Sequence, residues 1–416
     1  MTTDIIKNPG TGVLAGLKVL DLSHHYSAAF AGVLLADLGA DVTVLESPDG
    51  NVLRDMLPHS GNTPLWTSIV ERNKSNISLR LSHPEARAIF LKLANDFDVI
   101  IENFRPGTLE RWGLGPEDLT AAGVSIVMLR VSGYGQTGPK SPQPGFGGAA
   151  EAMSGLSQMT GTEDGLPLLL STAVADGAAG AFGAIGLLAA LWQRANAQAK
   201  GIQGEPQVEV VDIALFEAMF RLIPTQVIEY DQCGTIPGRA GSVKEHGVLR
   251  NMYGTSDGVH FCVSAVGGRA IRRTLEATGS TLLTKKLDDG ILDTGESNVV
   301  AFVNESDQSL REWASHLPYE EVAAQFHAME VVHERVLTVA DIVVDEHYLA
   351  RDDVIVVDDP DLGPVRMPGV IPKFSGFKHE VRHSGRSVGA DNTQFYGHHL
   401  GLQGADLESL RDQGVI

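Results

Sequence analysis

Cysteine is almost missing from this 416-residue chain: it has two, Cys233 and Cys262, in no redox or metal-ligand spacing. That excludes a disulfide framework and leaves no cysteine-built metal centre, and it predicts free thiols in a reducing, cytoplasmic setting. Basic residues are scarce as well, 32 against 52 acidic ones, for a formal net charge of −20. Such a surface does not attract nucleic acid or an anionic membrane, both of which need a net basic face. No charged stretch followed by a long apolar core occurs between Met1 and Gly16, so no signal peptide is expected. The turn after the first predicted strand, Ser23-His24-His25-Tyr26-Ser27-Ala28-Ala29, lacks the glycine fingerprint that admits a pyrophosphate, which argues against a dinucleotide-dependent dehydrogenase. No internal repeat stands out. Only residues 173–192 approach the length of a bilayer span, and their many Gly and Ala residues together with Asp176 read better as a core helix.

That apolar stretch, from Ser171 to Trp192, organises the rest. Small residues all round it require other backbone to pack closely, and its one charge, Asp176, falls near the helix start. Two readings stay open from the residues alone: an N-cap, for which Asp is a preferred residue, or a carboxylate nucleophile held in a dry pocket.

Around it the chain alternates strands and helices. Strands are expected at 17–22, 41–46, 77–81, 98–102, 125–131 and 207–211, with helices at 27–38, 85–95 and 213–229, the second opened by a capping box at Ser82-His83-Pro84-Glu85. The pattern predicts an α/β fold with a large doubly wound, Rossmann-like domain, whose ligands bind at the carboxyl ends of the strands. We place it at residues 1–225, a smaller α+β domain at 226–332 with helices near 269–278, 309–315 and 319–328, and a segment returning to the large domain at 333–416. The Gly- and Pro-dense loop from Gly133 to Gly148, which includes Gly135, Gln136, Phe146 and Gly147, reads as a loop lying over a ligand.

Several stretches in this order resemble the family III CoA-transferases, the group that includes formyl-CoA transferase, carnitine CoA-transferase and α-methylacyl-CoA racemase. They are Leu17–Leu22 with Leu38–Val42, Arg72-Asn73-Lys74-Ser75, Glu102-Asn103-Phe104-Arg105-Pro106-Gly107, Gly133–Pro139, Ala175-Asp176 with Gly186–Leu191, Val211–Ala218 and Gly363–Gly369. The resemblance covers almost the whole chain and implies that Asp176 is the nucleophile of an acyl-CoA:carboxylate CoA-transferase, working through an aspartyl-CoA thioester. It implies coenzyme A contacts at Tyr26, Leu79, Arg80, Leu81, Ser82, Asn103, Phe104, Arg105 and Arg111, with Arg72 and Lys74 as further candidates. Gly135, Gln136, Phe146, Gly147, Gly177 and Arg239 would form the substrate loops. The substrates would be an acyl-CoA and a carboxylic acid, with no metal and no permanently bound cofactor, and the assembly an interlocked homodimer. Departures are expected to matter: Tyr26 stands where formyl-CoA transferase has a glutamine, Ser47 where the family has an arginine, and Gly238-Arg239-Ala240-Gly241 in place of a tetraglycine lid. A racemase would need a histidine followed by Asp where this chain has Phe146 and Gly147. The racemase, and a noncatalytic CoA-binding protein, are the alternatives.

Overall fold

A computed structural model describes residues 12–202, 205, 207–243 and 248–416; the expectation for the N-terminal residues 1–11, and that part of the expected second domain at 244–247, lie outside the described residues. The large sheet is parallel throughout. Its strands are β1 (Lys18–Asp21), β2 (Asp41–Glu46), β3 (Ser75–Ser78), β4 (Val99–Glu102), β5 (Ile126–Ser132) and β6 (Val208–Ala214), in spatial order β3-β2-β1-β4-β5-β6. The order reverses between β1 and β4, which opens a crevice at their carboxyl ends where an α/β sheet receives its ligand. β4 and β5 are buried along their whole length: apart from the mutually paired Glu102 and Arg130 and the closing Ser132 they consist of Val, Ile, Met and Leu, as strands covered on both faces require.

Helices cover both faces. On one side lie α1 (Tyr26–Asp37), α3 (Gly147–Ser154), α4 (Val174–Ala199) and α5 (Leu215–Arg221), and on the other α2 (Ala86–Ala94) and α9 (Asn392–Leu400). The glycines of α4 explain its composition. A Cβ on Gly180 would stand 2.5 Å from the Ser27 carbonyl oxygen, one on Gly183 would meet Leu129 at 2.9 Å, and one on Gly186 would meet Val211 at 2.7 Å. This helix is long and apolar enough to cross a membrane, but its glycine face is applied to α1, β5 and β6.

The chain forms two compact units. The first takes the chain up to Ser157, Leu169–Gly234 and Asp345–Ile416; the second takes Gln158–Leu168 and Thr235–Val344. Its boundaries therefore differ from those read off the sequence: a short excursion at 158–168 joins the second unit, and the first extends to Gly234. The second unit is an antiparallel sheet of β7 (Leu249–Gly254), β8 (His260–Ala265) and β9 (His333–Arg335), packed with α6 (Gly268–Ala277), α7 (Glu296–Ser315) and α8 (Tyr319–Ala328) around Tyr253, Phe261 and Phe326.

Two local expectations fail. The capping box at Ser82–Glu85 does not form: α2 starts at Ala86, Glu85 makes no side-chain cap, and its backbone N–H donates to His83 Nδ1. The helix expected over 213–229 is two helices, α5 and Gln226–Cys233, broken at Pro224, which has no N–H to give to a helix.

The C-terminal segment closes the open edge of the sheet. Asn392 Oδ1 accepts the Ser78 N–H, Asp391 Oδ2 accepts the Asn76 N–H, and Tyr396 Oη donates to the Ser78 carbonyl, so the edge strand β3 is paired with side chains.

Candidate active site

Three helices begin around one carboxylate. Ala173 is the N-cap of α4 and Asp176 lies three residues further on, making no cap bond, so the N-cap reading of Asp176 is set aside. The first residue of α3, Gly147, brings its backbone against it: a Cβ there would sit 2.5 Å from Asp176 Oδ2. The first residue of α1, Tyr26, puts its hydroxyl 3.7 Å from where a Gly177 Cβ would be. The first N–H groups of a helix lack partners inside it, so α3 and α4 present donors and the positive ends of their dipoles at this point.

Burial lifts the Asp176 carboxyl to about 6; its own backbone N–H pulls it down and the charge of Glu151 pushes it up. Among the described residues no lysine or arginine pairs with it. Burial and then Asp176 itself hold the Tyr26 phenol above its ordinary value. A half-buried carboxylate, without a paired cation among the described residues and set at the N-termini of α3 and α4, is equipped to attack a carbonyl and to have the resulting oxyanion stabilised. We predict that Gly147→Ala, which intrudes on Oδ2, slows chemistry at Asp176 by roughly 10²-fold while leaving the melting temperature within a few degrees; rapid-quench mass spectrometry against a thermal melt checks it.

The crevice at the strand ends holds a cavity of about 250 Å³. Its walls include His24 after β1, Glu46 at the end of β2 and Ser47 beyond it, Leu79-Arg80-Leu81-Ser82 after β3, and Phe104 with Trp112 after β4. Asn103 staples the two central loops, its Oδ1 accepting the His24 N–H at 3.0 Å and its Nδ2 donating to the His25 carbonyl at 3.2 Å. His24 stacks on Phe104 with ring centroids 4.9 Å apart, and His25 meets Phe146 edge-on at 5.5 Å. Burial, then the neighbouring His25, takes the His24 imidazole down to about 4, so it is neutral. A larger cavity of about 630 Å³, by Phe374, Phe377 and His379, shares no residue with either feature.

Most of the residues named from the sequence gather at these two places, while others do not. Leu79, Arg80, Leu81, Ser82 and Phe104 line the cavity, and Asn103 braces it. Arg80 is its one basic wall residue, and Asp49 already holds it: Nη1 and Nη2 reach the two carboxylate oxygens at 2.8 and 3.2 Å. Arg105 is exposed and Arg111 donates to Thr108 Oγ1. Arg72 and Lys74 are corrected. Arg72 is locked onto Asp37 and the Pro368 carbonyl, and Lys74 onto Asp21 at 2.7 Å with both side chains fully buried, so neither is free for a phosphate. Glu46, closing β2, is held by Arg54 and Asn76.

In the glycine-rich loop, Gly133 and Gly145 touch backbone to backbone, a Cβ on the first falling 2.6 Å from the Cα of the second, which forms a neck. Gly135 donates to Ser132 Oγ and Gln136 to Asp212 Oδ2, anchoring the loop to β5 and β6. Phe146 and Gly147 leave that neck to start α3 beside Asp176. Arg239 belongs to the second unit, where Nη1 donates to the Gln158 carbonyl at 3.3 Å. The sequence reading missed Glu151, His25 and Asp49. Only Glu151 left a signal, a single charge inside the small-residue run from Gly147 to Met153.

This chain is similar to curated proteins along its full length. The succinyl-CoA–D-citramalate CoA-transferase of Chloroflexus aurantiacus is 34% identical over 407 residues, spanning 97% of this chain and 98% of that one. The formyl-CoA:oxalate CoA-transferase of Streptomyces avermitilis is 30% identical over 98% of this chain and 100% of its own. Among solved structures, a CAIB/BAIF family protein from Brucella suis shares the fold with a TM-score of 0.78 at 24% identity, covering 94% of this chain and 100% of that one. With the family model for CoA-transferase family III matching residues 14–392 as well, the aspartate at the meeting of three helices sits in an enzyme whose kind is settled: the chain belongs to the family III CoA-transferases.

Proposed function

We propose that the protein is an acyl-CoA:carboxylate CoA-transferase in which Asp176 carries CoA as a covalent aspartyl thioester. The observation that carries this reading is the position of Asp176, half-buried, without a counter-ion among the described residues and facing the N-terminus of α3. The carboxylate oxygen attacks the thioester carbonyl, the C–S bond breaks, and the electron pair leaves on the CoA thiolate, giving a mixed anhydride. The thiolate then attacks the aspartyl carbonyl and expels the first acid as its carboxylate. A second carboxylate attacks the aspartyl thioester and regenerates an anhydride and thiolate. The thiolate takes the new acyl group and frees Asp176. Charge is conserved at each step and the exchange is near thermoneutral, so what the protein supplies is oxyanion donors and a site dry enough to spare the anhydride.

The nucleotide of CoA would occupy the cavity at the strand ends, stacking by Phe104 and setting a phosphate near Arg80. Asp49 competes for that guanidinium, so Asp49→Asn should tighten CoA binding by up to roughly five-fold at low salt and lose the effect in high salt, measured by calorimetry with unmodified CoA.

For the substrates, a succinyl-CoA donor and a dicarboxylate acceptor are favoured by the relatives at 31–34% identity, whose names carry succinyl-CoA with citramalate or malate. Tyr26 and Ser47, where formyl-CoA transferase has Gln and the family Arg, weaken oxalate and formate. Exposed Ile185, Trp192, Ile228 and Tyr230 support a homodimer, to be checked by light scattering; a monomer would refute it.

The deciding experiment is intact-protein mass after mixing with succinyl-CoA, acetyl-CoA and formyl-CoA. A CoA-sized adduct discharged by hydroxylamine is expected with the first. No adduct with any thioester, while CoA binds, would overturn the reading.

A further inference from the structure

Glu151 is the buried acid that the mechanism above leaves idle. It is 3% exposed and lies in α3, one turn after Gly147, the residue whose backbone meets Asp176 Oδ2. Its Oε2 accepts the Leu170 N–H at 2.8 Å, and Leu170 stands six residues ahead of Asp176 on the stretch that leads into α4. No lysine or arginine among the described residues pairs with it. A carboxylate so placed is costly to bury without a cation, and the cost calls for a purpose.

We propose that Glu151 is a positioning residue of the transfer reaction, which ties down the approach to α4 through Leu170 and sets the negative field in which Asp176 is acylated. The inference rests on Asp176 being the nucleophile. When the Asp176 oxygen forms its bond to the acyl carbon, the C–S bond breaks and the electron pair departs on the thiolate; no proton moves, and Asp176 loses its charge. The repulsion between two neighbouring carboxylates is relieved at that moment and is relieved equally in the aspartyl thioester. Glu151 thus raises the free carboxylate relative to both covalent states and makes the carboxylate a stronger nucleophile. Beyond burial, Glu151 from α3 moves Asp176 upward electrostatically and its own N–H on α4 moves it down, while Asp176 in turn raises the Tyr26 phenol of α1. On α5, which packs on both helices, Glu217 is bound to the Ala214 N–H at 3.0 Å and Arg221 is exposed, neither paired with Asp176.

The test is adduct formation with succinyl-CoA between pH 5 and 8, followed by rapid-quench mass spectrometry on the full-length protein. Glu151→Gln keeps an acceptor for Leu170 and removes the charge: its pH midpoint should move down and its rate at pH 8 fall by roughly three- to ten-fold, with CoA affinity unchanged. Glu151→Asp keeps the charge and retracts the acceptor, so it should hold the wild-type midpoint with a slower rate, which keeps the test decisive if the glutamine variant misfolds. A wild-type midpoint and rate in Glu151→Gln, or a shifted midpoint in Glu151→Asp, would overturn the proposal. Absence of any adduct in the wild type would instead remove the nucleophile reading on which it stands.

Discussion

Asp176→Ala should abolish CoA transfer, lowering kcat by roughly four to six orders of magnitude as removal of a covalent nucleophile does, and should form no CoA adduct at any pH. It should do so without unfolding. The folded-state carboxyl titrates near 6, above its ordinary value of 3.8, mainly through burial. The sign follows from linkage: between those values the folded chain holds a proton that the unfolded chain has lost, so stability falls as pH rises through this window, and above it the ionised carboxylate costs the fold energy. Alanine removes that cost. The variant should therefore melt at the wild-type temperature or higher at pH 8, and the difference should vanish below about pH 4. In the wild type only the ionised carboxylate attacks, so adduct formation should be flat above the midpoint near 6 and drop about ten-fold per pH unit below it. An inactive variant with a lowered melting temperature would mean that structure, not chemistry, was lost.

Lys74→Met should be the most damaging substitution for stability. Lys74 Nζ sits 2.7 Å from Asp21 Oδ2 and donates to the Ala29 carbonyl at 3.0 Å, with the side chains of the pair at 0% exposure. It joins β1, α1 and the start of β3 beneath the loop that carries Ser23 to Tyr26. A Cβ on Gly32 would lie 2.3 Å from Asp21 Oδ2 and 2.8 Å from Nζ, so α1 is pressed onto the pair and leaves no room for water. Removing the cation strands a buried carboxylate, which costs about 3–5 kcal/mol. Adding Asp21→Asn to Lys74→Met should return a large part of that loss, because the stranded charge goes with it. Denaturant unfolding of the two singles and the double checks it. A Lys74 variant of wild-type stability but weakened CoA binding would return this lysine to the ligand.

Some of this protein was written in the linear chain. Strands β1, β2, β4 and β5 are built on short runs of Val, Leu, Ile and Met, and the glycines of α4 announce close packing, because burial on two faces admits few other residues. The parallel sheet follows from those local rules, whereas for Asp176 they left a cap and a nucleophile equally open. Family resemblance then pointed at some of the residues that line the cavity at the strand ends, Leu79 to Ser82 and Phe104, and at others that do not. What the chain could not disclose is which charges spend each other. Arg72 and Arg80 are both arginines close to the end of a strand, yet one is sealed against Asp37 and the other opens on a cavity behind Asp49. Their partners are 35 and 31 residues away in sequence. Charge pairing depends on distance through space and on the dielectric around the pair, neither of which is a function of position along the chain. The same holds for Glu151: a charge among small residues in sequence, it gains a role only because α3 folds back so that its first turn meets the first turn of α4. The sequence alone determined which groups could do chemistry, and the tertiary structure decided which of them are left free to do it.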